Sequence, residues 1–329
     1  MKTADSNTSL DSFAGIQDIS ATGVYAEKEQ LFSLSEAAER INLSKATRAI
    51  SQSSGLHHSN QRGRGMEFLE SRHYQPGDDI RSIDWRVTAR SGKTHTKVFS
   101  EEKEQPVFVV CDQNPYMFFG SQVRFKSVQA ANLASLIAWS SLKQGDRFGG
   151  EIISPDIETE DQGQNISVNL FKLARNRSRL LQFIDRLSEA NHQLNRSLKT
   201  DYQALEKSLF QLKYLIPPGT RLYIITDLFA LTETALKSIT ELAAHNQITV
   251  FSVFDPLELR PPNTGMTKVS NGKRIFNLLL NRKRQQDIYQ NNQQTYQAVK
   301  QFLMRWNIPL ISVATNENPA ELFIKPKPY

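Results

Sequence analysis

Three aspartates stand where short apolar runs of this sequence stop. Asp112 follows Val107-Phe108-Val109-Val110-Cys111, Asp227 follows Tyr223-Ile224-Ile225-Thr226, and Asp255 follows Thr249-Val250-Phe251-Ser252-Val253-Phe254. Carboxylates at the carboxyl ends of strands are hard oxygen donors placed where α/β sheets gather their ligands. One chemistry open to them is metal-dependent hydrolysis of phosphate esters, with Asp112, Asp227 and Asp255 as ligands. That chemistry also needs a base or an activated water, and none of the six histidines lies in these three loops. The competing reading is that Asp112 and Asp227 cap helices and satisfy loop amides. Asp255-Pro256-Leu257-Glu258 reads as a structural turn rather than a catalytic pair. No Gly-x-x-x-x-Gly-Lys-Ser/Thr run occurs, so any ATP chemistry belongs to a partner.

A second concentration of charge lies between Gly55 and Phe99. It reads Gly63-Arg64-Gly65-Met66-Glu67-Phe68, then Arg72-His73-Tyr74-Gln75-Pro76-Gly77-Asp78-Asp79-Ile80-Arg81-Ser82-Ile83-Asp84-Trp85, then Ala89-Arg90. A stretch that mixes this many charges with large apolar groups is expected to pair the charges and bury the rings. The expectation is a connected network of Arg72, Asp78, Asp79, Arg81, Asp84 and Arg90 with Trp85 buried beside it. Pro76-Gly77 is a turn in which glycine accepts positive φ, and Asp84 is placed to cap a short helix through Ala89. His57 and His58 are adjacent, a spacing that suits a polar loop better than a metal pair.

The elements that must position these residues follow from periodicity. Ser33-Leu34-Ser35-Glu36 predicts a capping box, with Leu34, Ala37, Ala38 and Ile41 on one helical face. A second helical piece spans Lys45 to Gln52, and Thr94 to Phe99 alternates as a strand. From Gln105 onward strand and helix alternate. Strands are predicted at Pro106–Cys111, Phe148–Ser154, Arg221–Thr226, Ile248–Phe254 and Ile308–Val313. Helices are predicted at Phe125–Lys143, Asn169–Asn191, Asp201–Leu215, Thr232–His245 and Lys283–Trp306. Ser270-Asn271-Gly272 predicts a hairpin turn. This alternation implies an α/β fold, a parallel sheet with helices on both faces.

A chain of 329 residues suggests two domains, and 39% hydrophobic with 22% charged residues is an ordinary globular composition. The net charge of +6 is spread along the chain and reads as a solvated surface. Two basic runs, Lys172–Arg179 and Asn281–Arg284, raise nucleic-acid binding as an alternative, but neither sits in a recognised module. The single cysteine, Cys111, fits a reducing cytoplasm. No apolar run is long enough for a membrane helix, and Met1 to Ser20 lacks a signal-peptide core. The expected location is cytoplasmic.

The pattern Gly-x-Gly-x-Glu-Phe, Arg-x-Tyr-x-x-Gly-Asp-Asp-x-Arg-x-Ile-Asp-Trp and Ala-Arg resembles the hallmark of domain-of-unknown-function family 58. The hallmark positions here are Arg72, Tyr74, Gly77, Asp78, Asp79, Arg81, Asp84, Trp85 and Arg90, which form either a docking surface or an ion-pair network closing a small subdomain. The resemblance implies a von Willebrand factor A-like, Rossmann-type domain after the hallmark, and hence a flexible tail over 1–30, N-terminal helices with the hallmark subdomain over 31–104, and the A-like domain over 105–329. Such domains often hold Mg²⁺. Carried over, the ligand positions are Asp112, Asn114, Tyr116, Thr200 and Asp227, with Tyr116 too bulky for a serine position. The implied site is degenerate, weak for Mg²⁺, and strengthened by Tyr116→Ser. The implied role is a non-enzymatic interaction or adaptor module that works with a MoxR-type AAA+ ATPase in chaperone-like assembly or maturation of a client complex.

Overall fold

The computed structural model describes residues 23–43, 45–47, 67–100, 105–155, 169–194, 201, 203–259, 265–270, 275–280 and 282–324. Gly63, Gly65, His57, His58, Thr200, Asn281 and the Asn271-Gly272 turn lie outside them. Contacts divide the chain into two units, Ser59–Gln105 and the combination of Met1–His58 with Pro106–Tyr329.

The larger unit opens with α1 (Lys28–Ala38). The smaller unit contains β1 (Glu67–His73), α2 (Trp85–Ser91) and β2 (His95–Ser100), with β1 and β2 paired antiparallel. The larger unit then continues through β3 (Val107–Asp112), α3 (Lys126–Lys143), β4 (Phe148–Ile153), β5 (Leu170–Ala174), α4 (Arg177–Gln193), α5 (Ala204–Leu215), β6 (Arg221–Thr226), α6 (Glu233–Ala243) and β7 (Gln247–Phe254). It ends with α7 (Pro256–Leu259), the hairpin β8 (Gly265–Ser270) and β9 (Ile275–Leu280), α8 (Arg282–Arg305), β10 (Leu310–Ala314) and α9 (Glu321–Ile324).

The sheet order is β10-β7-β6-β3-β4-β5. Five strands are parallel and the edge strand β5 runs antiparallel to β4. The fold is therefore α/β with a mixed, Rossmann-like sheet rather than the wholly parallel sheet expected. Alternation along β3 explains why both faces are covered. Val107, Val109 and Cys111 join the core under α1, α3 and α4, whereas Phe108 and Val110 join the core under α5, α6 and α8.

Three expectations are corrected by tertiary packing. The helix expected from Asn169 is two elements, because Leu170–Ala174 pairs antiparallel with β4, and Asn176 then caps α4 by accepting from the Ser178 amide at 2.8 Å. The capping box expected at Ser33 is absent, since α1 already starts at Lys28 and Ser33 lies inside it, its hydroxyl donating to the Gln30 carbonyl at 2.8 Å. Residues 23–30, expected in the flexible tail, hold a buried anchor: Ala26 is fully buried and its amide donates to Asn191 Oδ1 at 2.7 Å. Leu31, Leu34 and Ala38 bury one stripe of α1, and Trp139 of α3 donates its ring N–H to the Leu31 carbonyl at 3.0 Å. The N-terminal helix thus belongs with the sheet and not with the hallmark, as the expected division at 31–104 had it.

In α3 nearly every side chain is buried, because Ala130, Ala131, Ala134, Ser135 and Ala138 let neighbours approach on all sides. Such a helix is a core element throughout. Its first residue, Lys126, is the exception in kind.

Candidate functional site

In the order of the sheet the direction of connection reverses between β3 and β6, and the crevice beyond the carboxyl ends at such a switch point is where open α/β sheets bind ligands. Asp112 ends β3 and Asp227 follows β6, so both expected aspartates face this place.

Asp112 is fully buried and saturated. Its Oδ2 accepts from Thr226 Oγ1 at 2.6 Å and from the Tyr116 hydroxyl. Its Oδ1 accepts from the Asn114 amide N–H at 3.0 Å and from Asn114 Nδ2 at 2.9 Å. Burial pushes the Asp112 carboxyl above the usual carboxylate range, against the pull of these donors. Tyr116, expected at a ligand position, is a donor to the carboxylate, and burial raises its own phenol. Asn114 turns its amide nitrogen toward Asp112 and leaves Oδ1 buried without a hydrogen-bond partner among the described residues.

Asp227 belongs to a different cluster. Its Oδ1 accepts from the Phe229 amide at 2.8 Å, and its Oδ2 takes the Lys126 ammonium. The same ammonium bonds Glu258 Oε1 at 2.6 Å and lies 5.7 Å from the centre of the Phe119 ring. Lys126 is 3% exposed. Burial disfavours its charge, yet the Asp227 and Glu258 carboxylates outweigh that and hold its pKa above that of an ordinary lysine.

Asp255 supports Glu258 from behind. The Asp255 amide donates to Glu258 Oε2 at 2.9 Å, while Asp255 Oδ1 accepts from the Leu257 amide at 2.9 Å, a reciprocal capping box around the start of α7 with Pro256 in its first turn. Asp255 also accepts from the Ser121 amide at 2.9 Å, the Ser121 hydroxyl and Thr315 Oγ1 at 2.7 Å. Burial works against its charge, but these donors hold the carboxyl below the usual range. The three strand-end aspartates therefore serve separate hydrogen-bond sets, and no group of three metal-ligating side chains forms among the described residues.

A divalent cation does not fit the expected set. Asp112 offers no free oxygen, the orphaned Asn114 Oδ1 is one neutral donor, and Asp227 already holds a cation, whereas Mg²⁺ demands a near-octahedral oxygen shell. Beside the cluster lies a cavity of about 170 Å³ lined by Leu228, Phe229, Phe254, Leu259 and Tyr296, with Asp227 and Glu258 at its edge. Phe229 is 59% exposed. Lys126, Ser121, Thr226 and Thr315 were not singled out from the sequence. A lysine opening an otherwise apolar and small-residue helix was the available signal, because a cation there opposes the helix dipole and needs a carboxylate.

The hallmark differs from its expected form. Arg72 Nη2 pairs with Asp78 Oδ1 at 2.7 Å, and Asp78 also accepts from the Gln75 amide at 2.9 Å. The amide first and the guanidinium second hold the Asp78 carboxyl low. Gly77 has φ of 107°, as the turn requires. Asp79 accepts from the Arg81 amide at 2.9 Å. Asp84 is buried and caps α2, accepting from the Arg86 and Val87 amides at 3.1 and 3.2 Å and from Ser71 Oγ at 2.9 Å. The Val87 amide is the main reason its carboxyl sits below the usual range. Tyr74 is held by its backbone, its amide donating to the Thr94 carbonyl at 2.9 Å. The expected single network with a buried tryptophan is corrected: Arg81 and Arg90 are exposed, and Trp85 is 68% and Ile80 67% exposed. Asp79 and Asp84 find backbone amides nearby, so Arg81 and Arg90 are not needed to neutralise them.

A family model described as "Protein of unknown function DUF58" matches residues 70–299. Uncharacterized proteins Rv1480 of Mycobacterium tuberculosis and Mb1516 of Mycobacterium bovis are each 37% identical over 90 residues, 27% of this chain. The match spans only 28% of the length of those relatives. Among solved structures, the conserved hypothetical protein BatB of Bacteroides thetaiotaomicron is 16% identical with a TM-score of 0.35, covering 61% of this chain and 98% of that one. An aerotolerance-related membrane protein of Bacteroides fragilis is 15% identical with a TM-score of 0.39, covering 67% and 95%. No helix among the described residues is long and apolar enough to cross a membrane.

Proposed function

The chain belongs to the DUF58 family, and from that premise we propose that it is a non-enzymatic, cytoplasmic interaction module whose larger unit is a von Willebrand factor A-like domain that docks a protein at the strand-end crevice. The observation that carries this reading is the exposed Phe229 beside the small apolar cavity of Leu228, Phe254, Leu259 and Tyr296. At about 170 Å³ the cavity is below the 300–1,000 Å³ of typical small-molecule sites and suits an inserted apolar side chain. The saturation of Asp112 and Asp255 favours a binding over a hydrolytic role, because both carboxylates are committed to fixed donors. On this reading, as the hallmark resemblance implies, the partner is a MoxR-type AAA+ ATPase and the activity the assembly or maturation of a client complex.

The test is capture from native lysate with and without ATP, comparing the parent with Phe229→Asp. The parent is expected to retain an AAA+ ATPase and the variant to lose it at unchanged melting temperature. Mg²⁺-dependent phosphoesterase turnover abolished by Asp227→Asn would overturn the reading in favour of a hydrolase. Recovery of nucleic acid alone, released by salt, would favour the basic runs, since phosphate contacts are salt-sensitive.

A further inference from the structure

The geometry points to a resident side-chain cation: we propose that Lys126 is the permanent positive charge of the strand-end cluster, completing it without a divalent ion and excluding one. Lys126 starts α3, immediately after the loop that leaves β3, and reaches under the loops that follow β6 and β7. There it bonds Asp227, whose side chain is 6% exposed, and Glu258 at 2.6 Å. Both carboxylates are anchored from their far sides, Asp227 by the Phe229 amide and Glu258 by the Asp255 amide. The two acids are thus held in place as a seat for a cation, and the ammonium fills it from within the chain.

Asp112, on the next strand, is kept out of this seat by its own four donors from Thr226, Tyr116 and Asn114. A divalent ion entering between Asp112 and Asp227 would have to displace those donors and sit against a buried ammonium. The neutral Asn114 Oδ1 is too little to offset that. Lys126 therefore decides metal selectivity, and Tyr116 does not. The inference concerns the cluster itself and holds whether or not the neighbouring cavity docks a partner.

Manganese titration followed by the loss of the free-ion paramagnetic signal, together with melting curves, tests this on the full chain. The parent and Tyr116→Ser are expected to bind no Mn²⁺ below about 1 mM and to melt at the same temperature with the ion or with chelator. Lys126→Ser is expected to bind at least about tenfold more tightly than the parent, and its lowered melting temperature should rise on adding Mn²⁺ as the ion takes the vacated seat. Lys126→Gln removes the charge but keeps donors for both acids, and gives the same comparison if the serine variant does not fold. Micromolar Mn²⁺ binding by the parent that Asp227→Asn abolishes would overturn the proposal. So would a gain in Tyr116→Ser with none in either lysine variant.

Discussion

Buried charges in this protein are treated in two ways, and the difference sets their response to pH. Lys126 lies between two acids, and Arg221 is paired with Asp146. Glu151, on β4, is 7% exposed and meets the Ser208 hydroxyl at 2.8 Å. Burial pushes its carboxyl above the usual range, and the serine offsets only part of that. An acid whose folded pKa is raised keeps its proton more readily in the folded chain. Its contribution is fully present below the unfolded value of about 4.3 and is lost as pH rises through the raised value. Glu151→Gln should therefore raise the melting temperature at pH 7.5 and leave it unchanged near pH 4. A variant less stable than the parent at pH 7.5 would mean that the carboxylate gains a compensating cation in solution.

At the scale of elements, the hallmark shows how local amides replace long-range ion pairs. Among the described residues of this unit, two short strands and the two turns of α2 leave Trp85 exposed, and the backbone is fixed through aspartate caps. Trp85→Ala and Arg81→Ala are exposed substitutions and should each change stability by within about 0.5 kcal/mol. Asp84→Ala should destabilise the unit measurably, because it removes the acceptor for two α2 amides and Ser71. Chemical denaturation followed by circular dichroism separates the two outcomes in all three variants. An unchanged midpoint in Asp84→Ala would show that the cap is dispensable.

For the whole molecule, the central strand supplies a probe of global opening. Cys111 is the only cysteine, fully buried on β3, and burial pushes its thiol up to about 12. The thiolate is the reactive form. A disulfide-exchange reagent at pH 8 should label it at the rate of unfolding, rapidly in denaturant and negligibly in the native chain. Fast native labelling would mean that the sheet opens locally between β3 and its neighbours. The rate also reads the cover that α1 provides, since Leu31 and Leu34 of α1 pack in the same core as Cys111.

Periodicity and punctuation in the sequence determined most element types: apolar runs of five or six residues became strands, long amphipathic stretches became helices, and Pro76-Gly77 became a turn, because these depend on neighbours along the chain. They also placed Asp112 and Asp227 at strand ends. Tertiary structure alone decided that Leu170–Ala174 is an edge strand, since that rests on pairing with β4, and that α1 joins the sheet unit, since that rests on the small-residue surface of α3. It decided as well what the aspartates do. The three residues of the Lys126, Asp227 and Glu258 cluster are about 100 positions apart on one side and about 30 on the other. Their charges become partners only when burial removes water and three loops converge, a many-body outcome that no local pattern encodes.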